Sequence, residues 1–426
     1  MTTVRTWLVR ATALACAGTL LAGCGTDAVE VDHAAADDTV PADASAVAVD
    51  PAALDTGDFP TSPSAPFGRA TDENIIEIDG QRLAEFVTLP FEVDPALVAN
   101  ANPTVVLHPG QLSYLVSADM REAVDRTGIL YGYATAAETA TLDAGEAPRE
   151  LVHIVLRAAT PEDARVLADD MYQAALDSAD EYDTPGTPWV PLDSRLDGAR
   201  TVQGSFEGLA GEMAIRQSFT AHGDYVIYDW ASTSADDAPW AEKTPGRAVE
   251  LQKPLIDRFP ATPTRTQNGG VMPELPMMDQ DDILIYAVPG DAGDAHGIDM
   301  AVYGPRGLAH GSTNPELTHR VLTEAGSEHN AVGRTIVYRA EDDEGAESIL
   351  TALTGDLPNQ GFAPSAAPAG LPEASCLMRV TALGEQHLCY VSNGRYVGEA
   401  MADSAEEASQ LISAQYLILT RADQDA

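Results

Sequence analysis

The run Leu151-Val-His-Ile-Val-Leu-Arg157, followed two residues later by Thr160-Pro-Glu-Asp163, decides how the chain is built. Its short run of Leu, Val and Ile reads as a strand. Thr160 then stands as an N-cap, Pro161 takes the first helical position and Asp163 supplies the acid of a capped helix start. Leu167, Met171 and Ala174 follow at helical spacing. A shift of 182 residues lands on Thr335-Ile-Val-Tyr-Arg339 and a second acidic helix start, Asp342-Asp343-Glu344. Arg157, Ala158, Glu162 and Ala164 meet Arg339, Ala340, Glu344 and Ala346 without a gap. The strand-to-helix unit occurs twice.

Each unit continues into a hairpin, where the shift becomes 163 residues. In the first half, 212–219 and 225–230 flank the turn Ala221-His-Gly-Asp224; in the second, 376–383 and 388–392 flank Gly384-Glu385. The same offset pairs Arg216 with Arg379, Gln252 with Gln415 and Arg258 with Arg421. The extra residues of the first half fall in Asp183-Thr-Pro-Gly-Thr-Pro-Trp-Val-Pro191, a loop whose counterpart is the proline-rich 358–372. A closing helix starts at the capping box Ser404-Ala-Glu-Glu407 and carries Leu411, Ile412, Tyr416 and Leu419 at helical spacing. Pro254 predicts that its counterpart is kinked or starts late. Asn314 and Pro315 open a further helix, and 129–133 and 283–288 read as leading strands. The predicted fold is α+β, with two duplicated ferredoxin-like (β-α-β-β-α) sandwich units at 71–265 and 266–426. The boundary between them falls within Pro260–Pro276.

The N-terminus reads as an address. Arg5 and Arg10 precede an apolar run from Ala11 to Gly23, shorter than the roughly 20 residues that span a bilayer. It ends in Leu21-Ala-Gly-Cys24, which resembles the bacterial lipobox. That resemblance implies a signal peptide at 1–23, removed together with Cys16, and a diacylglyceryl group on the Cys24 sulfur. It implies a chain anchored in the cell membrane on the extracytoplasmic face. The alternative is an ordinary signal peptide with an incidental cysteine. Residues 24–70 read as an acidic, disordered tether: from Gly25 to Pro60 there are nine acids and no lysine or arginine. An acidic docking peptide is the alternative. Across the chain 66 acidic residues oppose 24 basic ones, for a formal charge of -42, and only Lys243 and Lys253 are lysines. Such a polyanion excludes nucleic acid as a partner through a basic surface.

Cys376 and Cys389 lie on the two strands of one predicted hairpin, where a disulfide is expected and a redox-active pair is the alternative. A turn at Ala382-Leu383 would set the sulfurs opposite each other; one at Gly384-Glu385 would offset them. The dinucleotide-binding glycine pattern, the phosphate-binding loop, the nucleophile elbow and the zinc-protease helix are missing, so no cofactor, catalytic residue or metal is expected. His153 sits inside an apolar strand, either as a ligand or base or as a satisfied core histidine. His222 is a second ligand candidate. The clusters Asp279–Asp282 and Asp291–Asp299 offer carboxylates to calcium but depart from the calcium-loop pattern. Trp189, Trp230 and Trp240 suit recognition of protein or glycan, or plugging of the core.

Four further segments carry a resemblance: 54–63, Gly80-Gln-Arg-Leu-Ala-Glu-Phe86, Val302-Tyr-Gly-Pro-Arg-Gly-Leu308 and Gly333-Arg-Thr-Ile-Val-Tyr-Arg339. Together they resemble a family of two-domain lipoproteins from mycolate-bearing actinobacteria, known only as a domain of unknown function. The resemblance implies an envelope location and a two-domain architecture, and no activity. The expected function is a lipid-anchored, non-catalytic binding or scaffolding module whose partner is an envelope protein or a small ligand. The alternative is a haem- or small-ligand-binding protein or an enzyme, with the site between the paired units and His153 or His222 as ligand or base.

Overall fold

The strand read from Leu151 to Arg157 lies in the middle of a sheet, where helices cover both faces and so require apolar residues at nearly every position. The computed structural model describes residues 49–139, 147–177, 187–192, 198–208, 211–290 and 300–425. The signal segment, Cys24, the tether up to residue 48 and the Asp291–Asp299 cluster lie outside the described residues. No helix among the described residues is long and apolar enough to cross a membrane.

The first sheet contains β1 (Leu97–Val106), β2 (Tyr131–Thr139), β3 (Glu150–Arg157), β4 (Thr187–Leu192), β5 (Ala199–Gly208), β6 (Gly211–His222) and β7 (Tyr225–Ser234). Its order is β1-β2-β3-β7-β6-β5-β4. Its helices are α1 (Ile75–Leu83), α2 (Pro90–Val93), α3 (Ala118–Thr127), α4 (Pro161–Asp177) and α5 (Ala238–Ile256). The second sheet contains β8 (Ala301–Tyr303), β9 (Asn330–Val332), β10 (Thr335–Arg339), β11 (Ala363–Pro364), β12 (Ser375–Thr381), β13 (Gly384–Asn393) and β14 (Tyr396–Ala402). Its helices are α6 (Pro305–Ala309), α7 (Pro315–Glu324), α8 (Asp343–Asp356) and α9 (Ala405–Leu419). Its order is β8-β9-β10-β14-β13-β12-β11, the same wiring as the first. The fold is mixed α+β with two antiparallel sheets. Each sheet holds seven strands, which is larger than the β-α-β-β-α set expected from the sequence.

Capping residues start the helices where the sequence places them. Thr160 Oγ1 accepts from Asp163 N, Asn314 Oδ1 from Leu317 N and Ser404 Oγ from Glu407 N. On α4, Ala164, Leu167, Ala168 and Met171 face Ile154, Leu156, Phe219 and Tyr228. α5 packs on the opposite face of that sheet, through Gln252 to His153. In the second half α7 and α8 cover one face, and α9 buries Leu411, Ile412 and Ile418 against the other.

Several expectations are corrected. α5 runs without a break from Ala238 to Ile256 through Pro245 and Pro254 rather than starting late. Pro254 lacks the N–H that would bond the carbonyl of Glu250, and the helix continues across that one lost bond to Ile256. The predicted strand 283–288 instead holds the 3-10 turn Leu284–Tyr286, just after another at Gln280–Asp282, because the Asp279 carboxylate accepts from Leu284 N at 2.7 Å and Ile285 N at 3.1 Å and winds the chain. The loop 183–191 yields the edge strand β4 from Thr187; Pro191 is tolerated there because an edge leaves one row of donors unpaired. The hairpin corresponding to β6–β7 is β13–β14, each returning beside β3 or β10, and not β12–β13. Arg216 and Arg379 therefore occupy non-equivalent strands. The described part of the predicted tether, 49–70, packs on the second half: Leu54 is buried in its core, and Ser64 N donates to Ile285 O at 2.8 Å. The β12–β13 turn falls at Ala382-Leu383, so Cys376 faces Cys389 and the two form a disulfide.

Candidate functional site

His153 is 1% exposed, and its neighbours define its protonation. Gln252 Nε2 donates to Phe86 O at 2.7 Å, and Gln252 Oε1 accepts from Thr88 N at 2.9 Å, which fixes the orientation of the amide. His153 Nε2 lies 2.8 Å from that Oε1 and therefore donates to it. Nδ1 lies 2.7 Å from Asp229 Oδ1, so it donates as well. With both ring nitrogens donating, His153 is an imidazolium paired with Asp229, whose other oxygen accepts from Ser218 at 2.9 Å. Burial acts to lower the His153 pKa, but the Asp229 charge and the bonds to Asp229 and Gln252 outweigh it and hold it above the usual histidine range. The second half repeats the glutamine. Gln415 Nε2 donates to Tyr286 O at 2.8 Å and Oε1 accepts from Val288 N at 3.3 Å; Thr335 takes the place of His153.

The segments Gly80–Phe86 and Val302–Leu308 meet across the seam between the halves. Gln81 Nε2 donates to Met300 O at 3.1 Å. Glu85 accepts from Gly307 N at 2.7 Å and Arg306 N at 3.4 Å, while burial pushes its pKa up. A Cβ at Gly304 would stand 2.5 Å from the Glu85 carboxylate, which explains the glycine. Arg306 forms a forked pair with Glu92, with Nη2 to Oε1 at 2.9 Å. Just beyond α6, His310 is fully buried against Thr135 Oγ1 and Val87 O, both at 3.3 Å, and burial drives its pKa down to about 3.

Beside this seam lies a cleft of about 180 Å3, lined by Gln81, Arg82, Glu85, Phe86 and Pro260 from one half and by Val302, Tyr303, Gly304, Glu328 and His329 from the other, with Gln280 between. At its rim Asp281, Glu328 and His329 bring ligand atoms within 4.8 Å of one another, the one such trio of histidine, cysteine or acidic side chains among the described residues. Asp281 Oδ2 is already engaged by His329 Nδ1 at 2.5 Å and Arg339 at 3.2 Å. Asp281 and Asp282 both adopt positive φ, at 58° and 51°, a conformation costly for non-glycine residues.

The candidates read from the sequence do not converge. His153 is sealed in the first half; His222 is half-buried and bonded through Nε2 to Asp257 at 2.6 Å. Trp189 lies over Gly204 and against the core beneath β4 and β5, a plug rather than an exposed platform. Trp240 donates to Asp94 at 2.7 Å under the Arg149 guanidinium. Asp279, from the calcium candidate, is buried and spends its carboxylate on backbone donors, with burial pushing its pKa up to about 6. Glu328 and His329 carried no motif; only the fold brings them to Asp281.

Comparison with known proteins gives two family matches. The model described as domain of unknown function (DUF7373) N-terminal covers residues 66–269, and its C-terminal partner covers 283–422. The cleft takes residues from both matched regions. No curated protein matches. Among solved structures, the extracellular domain of PknH from Mycobacterium tuberculosis is similar at 11% identity, covering 45% of this chain and 100% of that one, with a TM-score of 0.29.

Proposed function

We infer a function from one premise: the chain belongs to the DUF7373 family, whose N-terminal and C-terminal regions it carries in tandem. We propose a lipid-anchored protein on the extracytoplasmic face of the cell envelope, a non-catalytic module that binds a partner protein. The lipobox-like Leu21–Cys24 supports the anchor, and the basic-free acidic stretch that follows supports a tether up to residue 48. A lipoprotein of mycolate-bearing actinobacteria is the setting implied by the four sequence segments. The two halves are, in this proposal, copies of one ancestral unit related to ferredoxin-like sandwiches; their common strand order and the matched bonds of Gln252 and Gln415 support it.

The observation that carries the binding role is the cleft on the seam. At about 180 Å3 it is below the roughly 300–1,000 Å3 of pockets that enclose drug-sized ligands. It suits an inserted side chain from a partner better than a haem. His153 supports the same preference, since both its nitrogens are occupied and it has no access to solvent. The test uses the full chain in cells, with a photo-crosslinking residue at Gln280 on the rim and a control at Leu383 on the exposed β12–β13 tip. A discrete adduct from Gln280, lost on Glu328→Arg, is expected; adducts that form equally from Leu383 would refute the cleft as the binding site. Cys24→Ser should move the chain out of the membrane fraction, and retention there would refute the anchor.

A further inference from the structure

Glu138, Glu150 and Ser232 stand in one row across β2, β3 and β7, Glu138 directly opposite Glu150 and Glu150 directly opposite Ser232. Directly opposed residues on antiparallel neighbours project from one face with Cβ atoms about 4.5–5.5 Å apart. Two carboxylates therefore lie side by side, which destabilises a sheet when both are charged and nothing separates them. The buried acids of this half are answered: Asp229 by His153 and Ser218, and Asp79 by Arg82 and Tyr131. Among the described residues no hydrogen bond or ion pair reaches the side chain of Glu138 or Glu150, and the charge acting on Glu150 is that of Glu138. Beside them Ser232 is fully buried, and its Oγ has no partner. An unpaired buried hydroxyl is unfavourable, and a ligand that takes up its oxygen relieves that cost.

We propose that Glu138, Glu150 and Ser232 bind a hard divalent cation, Ca2+ in preference to Mg2+. Two carboxylates and a hydroxyl form an all-oxygen donor set, the type that such cations select over softer metals. Glu138 is exposed and Glu150 half-buried, so the ion has access from water and can complete its shell with water molecules. Ca2+ accepts irregular oxygen sets at about 2.3–2.6 Å, whereas Mg2+ demands near-octahedral geometry that three strand-borne groups in a row do not supply. The ion removes the repulsion between the facing carboxylates, occupies the free Ser232 oxygen and ties β2, β3 and β7 together at one end. Burial and the neighbouring Glu138 charge push the Glu150 pKa up to about 7, the response of a carboxyl pair that lacks a countercharge. The site is separate from Asp279–Asp282, the cluster that the sequence singles out for calcium.

Calorimetric titration of the full chain with Ca2+, and separately with Mg2+, tests the assignment. One saturable Ca2+ site is expected, with a Kd of about 10⁻⁴–10⁻³ M, the range of extracellular calcium modules. Glu138→Gln should weaken it at least tenfold, and Ser232→Ala, which keeps both carboxylates, should weaken it less. Glu138 is exposed, so its variant keeps the fold, and matched melting curves without calcium verify this. An isotherm unchanged by Glu138→Gln overturns the site and assigns the binding to other surface acids. No saturable binding at all also overturns it and leaves a shared proton as the occupant of the pair. Tighter binding of Mg2+ than of Ca2+ overturns the stated preference.

Discussion

At the scale of single residues, the decisive group is His153, held as a cation by two acceptors that cannot exchange roles. Its folded pKa is raised above the unfolded value of about 6.5. Protonation is therefore favoured by folding, so its contribution to stability is fully present below pH 6.5 and is lost as pH rises through the raised folded pKa. Asp229→Asn removes the countercharge and should cost about 3–5 kcal/mol, the usual consequence of breaking one side of a buried pair. Urea unfolding across this pH window should show an alkaline decline in the parent that the variant lacks; the same decline in both would mean that His153 is not a cation. The strand around His153 was legible from its apolar neighbours, and so was the choice between ligand and core residue. Its partners were not, because Asp229 and Gln252 lie 76 and 99 residues away and are brought in by strand pairing and by α5.

At the scale of elements, caps and periodicity were the most readable signals: Thr160, Asn314 and Ser404 accept the bonds that their positions predict. Readability failed where a buried acid or a second candidate pairing overrode the local pattern. Asp279 winds Leu284–Tyr286 into a 3-10 turn despite the strand-like composition of 283–288. β12–β13 has the alternation of a closing hairpin, yet β14 takes the place beside β10, a long-range pairing that no local pattern encodes. The disulfide follows from the observed register and ties β12, near the sheet edge, to β13. Replacing both cysteines by serine should cost about 3 kcal/mol on loop-entropy grounds for a closure of this length. Denaturant unfolding of Cys376→Ser/Cys389→Ser measures that loss, and a midpoint equal to that of the parent would show that the β12–β13 hairpin is held by its neighbours alone.

At the scale of the whole molecule, two sheets of identical wiring are locked by a seam of partly buried polar contacts in which Glu85, Glu92, Arg306 and Gly307 take part. Hydrogen bonds to charged groups contribute about 1.5–3 kcal/mol each, so a few suffice to couple the halves. The segments 80–86 and 302–308 looked like family signatures in the sequence, and the fold supplies their physical reason: they touch each other. The cleft exists because the seam holds its two walls in register, so it depends on rigid coupling of the halves. Scanning calorimetry of the full chain beside Gly304→Val, whose added carbon would collide with the Glu85 carboxylate, tests it most directly. One cooperative transition is expected for residues 49–426 in the parent and two separated transitions in the variant. Two transitions in the parent, left unmoved by Gly304→Val, would contradict it.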